Sequence, residues 1–214
     1  MYKRQAFNSC LGLRSVTIQD GVAEIGINAF AYCSNLTDVA IPEGVNTIGD
    51  FAFSECKTLA SIRLPESVGA LGEGVFNKCS SLKTVNIPEG VTEIPGYLFS
   101  QCTALSSIEI PYLVTSIGRE AFAGCTRLAS LTIPAGVDEI QPYAFDNMSS
   151  SFFLYCYPNS AAALYAEENG IRYEILEGET RTLTLSVTGP DGQEEIKQGL
   201  TVNWYGQDLS LIHI

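Results

Sequence analysis

Cysteine and histidine are the residues with the widest chemistry within reach of this 214-residue chain, which holds seven of the first and one of the second. Six cysteines fall in one column, Cys10, Cys33, Cys56, Cys79, Cys102 and Cys125, each 23 residues after the last. Thiols repeated in that way could ligate metal ions or pair as disulfides. Met148 holds the next place in the column and can make no disulfide. A disulfide also needs Cα atoms about 4.4–6.8 Å apart, and the outer side of a curved stack opens wider than that. The column therefore reads as free thiols filling a fixed slot in a core, cysteine being a small hydrophobe. The single histidine, His213, sits in the final residues 209–214, which look foreign to the rest of the chain. Without it no Ser-His-Asp or Cys-His arrangement exists. Phosphate-binding glycine loops and Cys-x-x-Cys pairs are missing too, so no enzyme activity and no cofactor are expected.

Carboxylates make a second ladder at Asp20, Glu43, Glu66 and Glu89, broken at Tyr112 and Ala135. Oxygen ligands suit calcium, but one carboxylate per repeat supplies too few of them, so the ladder reads as a solvated turn and no metal is expected. A third column, Thr17, Ala40, Arg63, Asn86, Glu109, Thr132 and Tyr155, changes residue type from repeat to repeat. Variation beside fixed core columns suits an exposed recognition face. Its neighbour, Ser15, Asp38, Ser61, Thr84, Ser107 and Ser130, is small and polar. Tyr112-Leu113 replaces the Glu-Gly of other repeats and places apolar side chains at a surface turn. Arg63, Asn86, Glu109, Thr132, Tyr155, Tyr112 and Leu113 are thus the candidate ligand-binding residues. The competing reading of the same face is a plain solvated sheet.

The elements that must carry these columns follow from the spacing. Phenylalanine recurs at Phe7, Phe30, Phe53, Phe76, Phe99, Phe122 and Phe145, 23 residues apart. Strict register over seven turns predicts a solenoid, one small unit stacked on itself. Within each unit two apolar residues lie two apart, from Val16/Ile18 to Leu131/Ile133, alternating with polar ones as a short strand does. Pro42, Pro65, Pro88, Pro111 and Pro134 end that strand, because proline lacks the N–H a ladder needs. Gly26, Gly49, Gly72 and Gly118 are expected at a second bend with positive φ. The Ala-Phe-x-x-Cys segment is read as a helical turn or coil on the outer side.

The pattern Ala-Phe-x-x-Cys-x-x-Leu-x-x-Val-x-Ile-Pro-x-x-Val-x-x-Ile, over roughly residues 3–157, resembles the BspA-like leucine-rich repeats of bacterial surface proteins. The resemblance implies a β-rich horseshoe or arc with a short parallel strand per repeat. It also implies export to the cell surface, and adhesion to host matrix proteins and other cells.

The two ends of the pattern differ. Tyr2 takes a column held later by Ile25 and Ile48, with nothing before it resembling a cap. The solenoid, residues 1–157, is therefore expected to lack its N-terminal cap. Residues 158–176 read as a C-terminal cap: Asn159 or Ser160 as N-cap, an Ala-rich helix, Gly170 to stop it and a strand from Ile171 to Leu176. Residues 177–208 read as the truncated start of a β-sandwich-like module, with a linker at 177–180, strands at Thr182–Val187 and Leu200–Tyr205, and a turn at Gly189–Gly192. Residues 209–214 look like a non-native tail.

The formal net charge of −12 argues against a phosphate-binding partner, which needs clustered Lys and Arg. No apolar run is long enough to span a membrane. The expected protein is a non-enzymatic, monomeric interaction or adhesion module, extracellular or at the cell surface. Its expected ligand is a protein or glycan, with host matrix implied by the resemblance. The alternative is an accessory repeat region of a larger exported protease or glycosidase.

Overall fold

The computed structural model describes residues 6–176 in full and the backbone of two further strands, 179–188 and 194–204. It falls into two compact units, 1–174 and 175–214. The first is a parallel-strand solenoid of about seven turns with a single helix at its C-terminal end.

The alternating pair of each repeat forms the first column of strands: β1 (Ser15–Thr17), β3 (Asp38–Ala40), β5 (Ser61–Ile62), β7 (Thr84–Val85), β10 (Ser130–Thr132) and β12 (Phe153–Cys156). Partners are offset by one repeat, as in Val16↔Val39, Ile62↔Val85 and Leu131↔Leu154. The Val-x-x-Ile end of each unit adds a second column that the spacing alone had not suggested. It comprises β2 (Glu24–Ile25), β4 (Thr47–Ile48), β6 (Ala70–Leu71), β8 (Glu93–Ile94), β9 (Ser116–Ile117) and β11 (Glu139–Ile140). These strands are only two residues long, below the length at which period-2 alternation can be seen. Pairing in the first column runs β1-β3, β5-β7 and β10-β12, and in the second β2-β4-β6 and β8-β9-β11.

Between the columns lies the core. Phe30, Phe53, Phe76, Phe99, Phe122 and Phe145 are buried and stack face to face, with centroids 5.3–5.9 Å apart from Phe7 to Phe145. The Ala-Phe-x-x-Cys segment is a series of turns that bonds to its neighbours like a strand. Phe30 N donates to Ala52 O (2.8 Å), Phe53 N to Val75 O (3.0 Å) and Phe76 N to Leu98 O (3.0 Å). Buried backbone donors are thereby satisfied without regular secondary structure.

The bends differ from expectation. Gly26, Gly49, Gly72 and Gly118 do not take positive φ; one set of left-handed residues comes two places later, at Asn28, Phe51, Gly74, Tyr97, Glu120 and Tyr143. The glycines are needed because successive turns approach there. A Cβ on Gly118 would overlap Gly96 N and lie 2.8 Å from Pro95 C and 2.9 Å from Gly96 Cα, all backbone. Gly118→Ala is therefore expected to cost about 3 kcal/mol, at the upper end for overpacking. Gly12→Ala, with nothing within 4 Å of the new carbon, should stay within about 0.5 kcal/mol. Urea unfolding midpoints of the two variants make the comparison, and equal midpoints would remove the close-approach argument.

The last turns close the stack. Phe152 stacks on Phe145 at 5.7 Å, and Tyr165 of helix α1 (Ala161–Glu168) meets Phe145 edge-on at 5.9 Å. Ser160 caps the helix, its hydroxyl accepting from Ala163 N. Gly170 follows with φ +65°, and β13 (Arg172–Ile175) joins β12. In the second unit β14 (Glu179–Thr188) and β15 (Glu194–Trp204) form an antiparallel pair. The expected linker at 179–180 is thus already strand. The expected turn at 189–192 and the tail at 209–214 lie outside the described residues, as do Met1 and Tyr2.

Candidate functional site

The thiol column turns out to be bonded as well as buried. Each Sγ from Cys33 to Cys125 donates to the carbonyl of the phenylalanine one turn back. The bonds run Cys33 to Phe7 (3.0 Å), Cys56 to Phe30 (3.2 Å), Cys79 to Phe53 (3.1 Å), Cys102 to Phe76 (3.0 Å) and Cys125 to Phe99 (3.1 Å). All seven cysteines are free thiols. Burial, which penalises the thiolate, pushes Cys56 and Cys125 up to about 12 and Cys156 to about 11, and holds Cys79 and Cys102 well above the ordinary thiol range. A thiol that stays neutral is neither nucleophile nor ligand. Among the described residues no three His, Cys, Asp or Glu side chains are grouped to hold a metal ion.

The outward side of the first strand column does hold a cavity. A groove of about 770 Å³ crosses three turns, lined by Ser61, Arg63 and Glu66, then Thr84, Asn86 and Glu89, then Ser107, Glu109 and Pro111, with Ile62, Val85, Ile87 and Ile108 beneath. Three of the expected ligand-binding residues, Arg63, Asn86 and Glu109, thus meet in one site. Tyr112 and Leu113 follow Pro111 in the chain, exposed by 41% and 43%. Thr132 and Tyr155 face each other across the β10–β12 pair outside the groove, with Tyr155 edge-on to Phe153 at 4.9 Å.

The site coincides with breaks in the repeat. In regular turns a backbone donor reaches the next strand's carbonyl: Ile18 N to Ala40 O and Ile133 N to Tyr155 O, both 3.0 Å. At the groove Asn86 inserts its side chain into that ladder. Leu64 N donates to Asn86 Oδ1 and Asn86 Nδ2 donates to Leu64 O, each at 2.8 Å. Those two bonds fix the orientation of the Asn86 amide at the groove and leave its second Nδ2 hydrogen and second Oδ1 lone pair outside the pair. One turn on, Ser107–Ile110 forms no strand, so the fifth turn alone lacks its first-column element among the described turns. Among the described residues the ion pairs are Lys57 and Lys78 with Glu55, and Arg119 with Glu120. Arg63, Glu66, Glu89 and Glu109 pair with no opposite charge among the described residues. Glu66 and Glu89, read from sequence as solvated turns, were the groove residues missed. Their ladder position was visible, but that it borders the strand face depends on how the proline folds the chain back.

The fold defines a leucine-rich-repeat solenoid, with this groove on its first strand column. Residues 2–111 and 92–154 match the family model described as BspA type leucine rich repeat region, in six copies. The chain belongs to that family. A leucine-rich repeat protein from Eubacterium ventriosum is similar at 28% identity and TM-score 0.63 over 83% of this chain and 46% of its own. One from Bacteroides ovatus is similar at 27% identity and TM-score 0.55 over 73% and 48%. The chain therefore spans about half the length of these relatives. No curated protein is similar enough to count as a match. Repeat regions of this kind are in general non-catalytic structural or binding modules, and leucine-rich repeat proteins bind other proteins. No helix among the described residues is long and apolar enough to cross a membrane.

Proposed function

We propose that the solenoid is an adhesion module displayed at a bacterial cell surface, with the Arg63–Asn86–Glu109 groove as the seat of its partner. The supporting observation is the coincidence of departures from a repeat that is otherwise strict. Asn86 replaces a ladder bond, the fifth turn gives up its strand, and Tyr112-Leu113 replaces Glu-Gly, all within or beside one groove. A purely structural spacer has no use for such a local break, because each turn only has to match its neighbours. Apolar side chains beside a polar hollow suit a protein partner, with an anchor at the edge and polar contacts within.

The test is retention of the chain on immobilised host matrix proteins. The paired change Glu109→Arg with Tyr112→Ala should weaken retention at least tenfold, as loss of an interface anchor does. The same pair of changes at Glu139 and Tyr143, off the groove, should leave it within about twofold of the unaltered chain. Thermal melting of each variant guards against simple unfolding. Retention that ignores the groove changes would discard the groove as the seat. Retention by no matrix protein would discard adhesion to host matrix.

A further inference from the structure

We propose that the groove takes an extended, cationic stretch of polypeptide, one carrying Lys or Arg; this rests on the groove being the partner's seat. Its charged lining residues are Glu66, Glu89 and Glu109 against Arg63. None of the four is ion-paired among the described residues, whereas Glu55 and Glu120 elsewhere on the solenoid are. The groove is therefore a place of excess negative charge with no internal counter-charge in contact. A neutral glycan or an acidic segment offers nothing to match it, and like charges would oppose the second.

The remaining lining suits a basic side chain in particular. Ile87, Ile108 and Pro111 supply an apolar surface along which the methylene stem of Lys or Arg can lie while its head reaches a carboxylate. Ser61, Thr84 and Ser107 are small enough to admit a backbone. Three turns at strand spacing cover roughly 10 Å, which about three to four extended residues span. The formal charge of −12 over the whole chain adds attraction at long range. That same charge makes bulk attraction the competing explanation, so the test must separate position from net charge.

The probe is a fluorescein-labelled decapeptide alternating Lys and Thr, with Gln-Thr and Glu-Thr versions, read by fluorescence anisotropy against the full chain at low and raised salt. The Lys-Thr peptide should bind, and weaken with salt. Replacing Glu66, Glu89 and Glu109 together by Gln should weaken it about tenfold, the sum of three modest exposed charge pairs. Replacing Glu24, Glu93 and Glu139 by Gln changes net charge equally on the second strand column and should alter binding less than twofold. Arg63→Gln removes the groove's one cation and should tighten binding about twofold to threefold. Equal losses in the two triple variants would overturn the proposal in favour of bulk attraction. So would Gln-Thr binding as tight as Lys-Thr, or no binding of the Lys-Thr peptide. In each of these cases the matrix retention assay still decides the groove reading by itself.

Discussion

Raising the pH by one unit above 9 is expected to remove about 6 kcal/mol of stability. In the unfolded chain the thiols ionise near 8.5. In the solenoid burial holds Cys56 and Cys125 neutral up to about 12, and keeps Cys79 and Cys102 neutral well above the ordinary thiol range. Between those limits the unfolded state has released protons that the folded state retains. Stability is then complete below the unfolded value and falls as the pH rises toward the folded one. From pH 9 to 10 each such thiol contributes about 1.2 kcal/mol, so these four together with Cys156, held neutral to about 11, contribute about 6, comparable with the whole stability of an ordinary domain at about 5–15 kcal/mol. The array should therefore lose stability between pH 9 and 10 where a thiol-free solenoid would keep it. Urea midpoints taken at pH 8, 9 and 10 measure the slope. The double variant Cys79→Ala with Cys102→Ala should be weaker at pH 8, through lost packing, yet show about three-fifths of the slope. An unchanged slope would assign alkaline unfolding to other groups.

Phe76→Ala should be the most damaging single change in the stack. Phe76 is fully buried, with Phe53 at 5.9 Å on one side and Phe99 at 5.8 Å on the other. Core Phe→Ala changes cost about 3–5 kcal/mol, and two ring contacts are lost as well. In a globular core the rest of the domain would share the damage. Here each turn touches only its neighbours, so the cavity severs the coupling between the two halves of the array. The expected result is a lower urea midpoint with a shallower, broader transition, the mark of unfolding that is no longer all-or-none. Phe7→Ala, at a ring already 44% exposed, should cost less than about 1.5 kcal/mol and leave the slope alone. Matching losses at the two positions would mean that the stack does not carry the cooperativity.

The solenoid was legible because its evidence repeats. Phe, Leu and the Val/Ile pair recur in one register, and any single unit could have been noise. The second strand column was not, since a two-residue strand such as Thr47–Ile48 carries no period. The glycines were assigned to the right place for the wrong reason. Composition marks a position where only glycine fits, but not whether φ or a neighbouring backbone forbids the side chain. The groove was legible in part. Arg63, Asn86 and Glu109 stood out as variable, outward residues. That Asn86 turns its amide back onto Leu64 could not be read, because Asn on a strand looks the same whether its partner is a ligand or the preceding turn.

The bonds that join one turn to the next, the strand ladders and the thiol-to-carbonyl links alike, run along the stacking axis. A pull between the ends of the array therefore loads them in series, one seam after another, rather than shearing many at once. Each seam that parts frees 23 residues, roughly 80 Å of extended chain, while the turns beyond it stay folded. Under tension such an array is expected to lengthen in steps whose unit is the repeat itself.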